Sequence, residues 1–145
     1  MKKRTFIISL IIPLLVGAIS AFITNNQMKT YSNLNTPLLA PPGWLFPIVW
    51  TLLYILMGIS SYLVREDDDA LNIYKVNLVV NLAWSFIFFT FNMKILAFLW
   101  IILLIVIVCY MIYKFFKVKK IAAYLQIPYL IWLLFAGFLN LLEIL

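Results

Sequence analysis

Charge is almost absent from the interior of this sequence. Five long stretches, Thr5 to Met28, Thr30 to Val64, Val76 to Met93, Ile95 to Tyr113 and Ile121 to Leu142, contain no Asp, Glu, Lys, Arg or His. A charge at the centre of a bilayer costs about 3 kcal/mol or more, so uncharged runs of this length mark where a chain can cross one. The composition agrees: 66% of residues are hydrophobic and 11% charged, whereas a soluble domain needs roughly 25% charged residues to coat its surface. At about 20 residues per crossing, the pattern predicts an all-α integral membrane bundle of five transmembrane helices. It forms one domain over 1–145, with spans at about 5–24, 43–64, 74–93, 95–115 and 121–143. The second run is too long for one helix, and its polar, proline-rich first part places the helix start near Pro42 or Gly43.

Lys2, Lys3 and Arg4 ahead of an apolar region, with Ala18 and Ser20 spaced like a cleavage site, also fit a secretory signal peptide. A retained first helix is the simpler reading. Pro13 and Gly17 are tolerated in a membrane helix packed by neighbours, and Gly17 with Ala21 forms a small-xxx-small pair suited to close helix contact. Across the five spans, one side collects Lys2, Lys3, Arg4, Arg65, Lys75, Lys114, Lys117, Lys119 and Lys120, and the other only Lys29 and Lys94. The positive-inside rule then predicts a multi-pass plasma-membrane protein with a cytoplasmic N terminus, its long first loop (about Asn25 to Pro42) and its C terminus outside.

Histidine is absent and cysteine occurs once, which removes the imidazole base, multi-ligand Cys/His metal sites and any internal disulfide. No metal site and no cofactor are expected. With no ionisable group in mid-span, coupling to an ion gradient is disfavoured. The basic residues end apolar runs and form no stripe, so nucleic acid is not an expected partner. Cys109 reads as a small packing residue, Glu66 to Asp69 as a solvated turn, and Trp44 and Trp100 as parts of an interfacial belt.

The interior polar groups are Asn77, Asn81, Ser85, Gln126 and Asn140, with Trp50, Trp84, Trp132, Tyr54 and Tyr129. They can orient a ligand by hydrogen bonds and cannot titrate near neutral pH. Phe46, Trp50 and Tyr54 recur every four residues on one face of the second span. Asn77, Asn81, Trp84, Ser85 and Phe88 share a face of the third, and Trp132, Ala136, Leu139 and Asn140 a face of the fifth. Such stripes serve either helix packing or a ligand pocket. Tyr31 and the run from Pro37 to Trp44, with Pro41 and Pro42, belong to a connection of about 18 residues, longer than the usual helix-to-helix link; the prolines stiffen it as a rim or lid.

Three runs, PLLAPPGWLFPIVWTLLY (37–54), NLAWSFIFF (81–89) and AAYLQIPYLIWLLFAGFLN (122–140), together resemble the TspO/MBR family of tryptophan-rich sensory and translocator proteins. The resemblance covers nearly the whole chain, in the family's order. It implies a five-helix bundle, commonly a homodimer, whose pocket accepts porphyrins such as protoporphyrin IX and isoquinoline or benzodiazepine-type ligands. Carried over by position, that pocket involves Phe46, Trp50, Asn81, Trp84, Trp132, Ala136 and Leu139, with Pro41 and Pro42 shaping a lid hinge; Tyr31, Tyr54 and Phe88 complete the candidate ligand-binding set from the loop and the stripes. The implied partners are a flat aromatic small molecule, the lipid bilayer and a second copy of the chain. The resemblance also implies two alternatives to a receptor or sensor. One is light- and oxygen-dependent porphyrin degradation with Trp50 and Trp132 as the oxidisable groups, no catalytic residue being otherwise expected; the other is passive porphyrin transport. The chain departs from the family at Thr30-Tyr31, where Trp-Tyr is common, and at Thr36-Pro37, where Lys-Pro is common. After Leu139-Asn140 it continues as Leu-Leu-Glu-Ile-Leu, without the Tyr and Arg of the animal cholesterol stretch.

Overall fold

In a bilayer every backbone N–H and C=O needs a partner within the protein, and an apolar segment meets that need by becoming a helix. The computed structural model describes residues 2–33, 45–87 and 93–144, and among them all regular structure is helical. Six segments follow in order: α1 (Lys2–Asn33), α2 (Leu45–Leu63), α3 (Asp68–Ser85), α4 (Lys94–Val118), α5 (Lys120–Leu125) and α6 (Ile127–Ile144). The last two are the expected fifth span, broken once, so the architecture is a five-helix membrane bundle.

Length and apolarity suffice for a full crossing over Lys3–Phe22, Lys94–Val118 and Lys120–Leu142, while α2 is apolar over the shorter stretch Pro47–Leu63. Helix α3 is less apolar than α2, α4 and α6 because Asp68, Asp69, Lys75, Asn77 and Asn81 all lie on it. At 1.5 Å per residue, the 25 residues of α4 extend roughly 38 Å, beyond the ~30 Å hydrocarbon layer.

Helix α4 packs against α3, α5 and α6, whereas α1 packs on α2 and α3, and α2 also meets α5. The inward stripe of α4, Ala97, Ile101, Leu104, Val108, Met111 and Phe115, alternates spacings of four and three, the repeat that keeps one seam against its neighbours. Its other face, including Leu99, Leu103, Val106 and Tyr110, is exposed. Both faces are apolar, as expected where the outer one meets lipid tails in place of water.

Glycine sets the closest approach. A Cβ on Gly58 of α2 would stand 2.9 Å from the Leu10 Cα and 2.9 Å from the Ser9 carbonyl oxygen of α1. That space exists only because Gly58 has no side chain. Gly17 of α1 meets the Tyr54 ring in the same way, at 2.7 Å. Its expected companion Ala21 is exposed, so Gly58 in the facing helix takes the role assigned to it.

Several expected boundaries move. Helix α1 continues to Asn33, so the long loop begins later than Asn25. Helix α3 starts at Asp68, not 74, because the Asp67 carboxylate accepts the Ala70 N–H at 2.8 Å, and Asp68 and Asp69 lie in the first turn, where the helix dipole favours anions. The acidic run is therefore partly a helix cap. The fifth span breaks at Gln126; Pro128 sits in the first turn of α6, where its missing N–H leaves no helical bond unmade.

Cys109 is exposed on the outer face of α4, not a packing residue in the core. Trp100 does more than sit in a belt: its Nε1–H donates to the Val80 carbonyl at 2.9 Å, tying α4 to α3.

Candidate functional site

Helices α2, α3 and α6 converge on one cluster of aromatic rings and amides. Trp50 and Tyr54, four residues apart on α2, stack with ring centroids 5.6 Å apart and planes 30° from parallel. The Trp50 ring also meets two α6 rings edge-on, Tyr129 at 6.3 Å and Trp132 at 6.4 Å. Trp132 continues to Phe135 at 5.5 Å. Trp50 is thus the hub of an aromatic surface shared by two helices, and both it and Trp132 remain partly accessible.

Behind the rings runs a hydrogen-bond chain with a fixed direction. The Tyr54 hydroxyl donates to Asn81 Oδ1 at 2.7 Å, Asn81 Nδ2 donates to the Tyr129 hydroxyl at 2.8 Å, and that hydroxyl donates to Asn77 Oδ1 at 2.6 Å. All four side chains are buried, none more than 4% exposed. Asn81 therefore spans the bundle, receiving from α2 and giving to α6. Each bond fixes a ring that the Trp50 surface rests on, so the polar chain holds the aromatic faces in register. Burial makes these bonds directional constraints, since a broken one leaves a polar atom unpaired in an apolar surround.

The described candidates fall largely together. Trp50, Tyr54, Asn81 and Trp132 are in or directly bonded to the cluster. Trp84 is buried on α3 next to the Asn81 turn, while Ala136 and Leu139 are buried one and two turns beyond Trp132 on α6. Tyr31 and Phe46 lie on α1 and α2, but their side chains are outside the described residues, as are Pro41, Pro42 and Phe88. Two members of the chain, Asn77 and Tyr129, stand in the sequence as interior polar groups outside the candidate ligand-binding set. Their signal was the i, i+4 pair Asn77/Asn81 and the i, i+3 pair Tyr129/Trp132. Phe135 carries the same i, i+3 spacing from Trp132.

Among the described residues, the arrangement offers aromatic faces, a few neutral hydrogen-bonding groups and no charged side chain. That suits recognition of a flat, largely apolar molecule.

Comparison with known proteins identifies the family. The sequence profile described as TspO/MBR family matches residues 9–143. The chain is 33% identical over 150 aligned residues to the tryptophan-rich protein TspO of Chlorobaculum tepidum, covering 97% of this chain and 95% of that protein. It is 37% identical over 122 residues to protein CrtK of Rhodobacter capsulatus, covering 76% and 73%. To the human translocator protein it is 32% identical over 129 residues, covering 83% and 76%. A match of this extent, on a helical membrane bundle with this aromatic cluster, shows that the chain belongs to the TspO/MBR family.

Proposed function

We propose that the protein is a membrane receptor or sensor that binds tetrapyrroles, such as protoporphyrin IX, and related flat aromatic ligands at the Trp50–Trp132 surface. The observation that carries this reading is the contact of Trp50 with Tyr54, Tyr129 and Trp132 on a hydrogen-bonded backing. Two of those rings, Trp50 and Trp132, are partly accessible, so a flat ligand can exchange one protein ring contact for its own stacking contact. Offset or edge-to-face aromatic contacts contribute about 0.5–1.5 kcal/mol each beyond area burial, and several such contacts orient a macrocycle without any ion pair. Ala136 and Leu139 extend the apolar wall along α6. Tyr31, Pro41, Pro42, Phe46 and Phe88, which the sequence adds to the candidate set, are proposed as further members of the site.

The proposed setting is the plasma membrane, with the basic helix ends, including Lys114, Lys117 and Lys120, in the cytoplasm and the chain acting as a homodimer. Lys117 lies over the Tyr113 ring at 4.4 Å and Lys120 over Phe116 at 5.7 Å, as expected for cations held at a headgroup interface.

Titration in darkness with protoporphyrin IX, followed by tryptophan fluorescence, tests the reading. Saturable quenching in wild type, lost in a Trp50→Ala/Trp132→Ala variant that remains monodisperse, supports it. Equal quenching of both proteins contradicts it. Illumination separates receptor from enzyme: bleaching of the porphyrin band that depends on Trp50 or Trp132 would instead make the protein a porphyrin-degrading one.

A further inference from the structure

The hydrogen-bond chain ends on an amide with a donor to spare. Asn77 is fully buried, and its Nδ2 has no hydrogen-bond partner among the protein atoms. Gln126, also fully buried, leaves its Oε1 without one, while its Nε2 makes only a long 3.5 Å contact to the Leu56 carbonyl. The Tyr74 hydroxyl, also buried, faces the Ser61 side chain.

Helix spacing puts these groups within about one turn of one another along the bundle. Tyr129 is bonded to Asn77; Gln126 lies one turn before Tyr129, and Tyr74 one turn before Asn77, both toward the end of the bundle that carries the α2–α3 turn. The same layer holds Ser60 and Ser61 of α2, whose hydroxyls donate to the Ala122 carbonyl at 3.1 Å and the Gly58 carbonyl at 2.8 Å. A donor and an acceptor left over in one neutral layer match the capacity of water, which gives two hydrogen bonds and accepts two. Buried waters are typically held by about three bonds to polar groups that would otherwise be unpaired. An apolar occupant would leave both amide atoms unsatisfied, at a cost of about 1–3 kcal/mol each.

We propose that the layer bounded by Asn77, Gln126 and Tyr74 is a hydration site, in which ordered water accepts from Asn77 Nδ2 and donates to Gln126 Oε1. The water continues the chain Tyr54, Asn81, Tyr129, Asn77 toward the serines of α2. The aromatic cluster is then backed by a wet polar floor, not by a dry helix seam. This inference is independent of which ligand the cluster binds.

Radiolytic hydroxyl-radical footprinting of the full chain in detergent tests it, because radicals formed from bound water label the side chains next to that water. Tyr129 and Tyr54 form a matched pair, both almost completely buried, with Tyr54 at the far end of the chain. Labelling of Tyr129 and Tyr74 several-fold faster than Tyr54 is the expected result. Equal rates at all three tyrosines overturn the proposal. In a Gln126→Leu variant, Tyr129 labelling should fall toward the Tyr54 rate; an unchanged rate in a folded variant also overturns it. Should that variant not fold, the wild-type comparison decides alone.

Discussion

Removing one oxygen atom from Tyr129 probes the polar chain with little change in shape. Tyr129→Phe keeps the ring that Trp50 meets edge-on and deletes both the acceptor for Asn81 Nδ2 and the donor to Asn77 Oδ1. Two buried amide atoms lose their partners. Interhelical hydrogen bonds in membrane proteins average about 0.6 kcal/mol with a maximum near 1.7, so the loss of two predicts about 1–3 kcal/mol. Tyr54→Phe removes the donor to Asn81 Oδ1 and the contact with the Ser20 side chain; it leaves one buried amide atom unpaired where Tyr129→Phe leaves two, and should cost about half as much on the same scale. For a chain of this size, each kcal/mol corresponds to roughly 2–4 °C in midpoint temperature. Tyr129→Phe should therefore lower the midpoint by several degrees in thermal unfolding followed by tryptophan emission, and Tyr54→Phe by clearly less. The two changes should not add, because Asn81 links both hydroxyls. A Tyr129→Phe protein as stable as wild type, or a Tyr54→Phe protein less stable than it, would refute the assignment of Tyr129 as the junction.

Other substitutions probe the frame that carries the site. Gly58→Ala drives a Cβ into the α1 backbone and should destabilise by about 1–3 kcal/mol, as overpacking does, whereas Gly137→Ala, whose Cβ would lie 3.6 Å from the Ile101 side chain, should leave thermal stability nearly unchanged. Asp67→Ala removes the α3 cap and should cost about 1 kcal/mol, read as faster amide hydrogen exchange in the first turn of α3. Cys109, facing outward, should react with a small lipophilic maleimide in the folded detergent-solubilised protein at a rate close to that after denaturation.

What could be read in the sequence was set by patterns local to one helix. The uncharged runs located the helices because each charge excludes itself from the hydrocarbon layer, and the spacing of Trp50 with Tyr54 and of Asn77 with Asn81 placed them on shared faces. Helix ends were less visible. The Asp67 cap precedes the apolar run of α3, so hydropathy alone began that helix late. The continuation of α1 to Asn33 passes through polar residues that a helix outside the hydrocarbon layer can still accommodate. Contacts between helices left almost no local trace: nothing around Gly58 says that the α1 backbone lies against it, and Tyr129 resembles any buried tyrosine until Asn81 and Asn77 are found on either side of its hydroxyl. In a membrane bundle the inner and outer faces are both apolar, as α4 shows, so amphipathicity cannot identify which face meets a neighbour. Cys109, small and apolar enough for either face, lies on the outer one.

The most direct measurement is a structure of the protein with protoporphyrin IX bound in darkness. The account predicts the macrocycle against Trp50 and Trp132, with those two rings moved apart and the Tyr54, Asn81, Tyr129 and Asn77 chain intact behind them. A macrocycle lying on the outer face of α4, with the Trp50 to Trp132 contact unchanged, would contradict it.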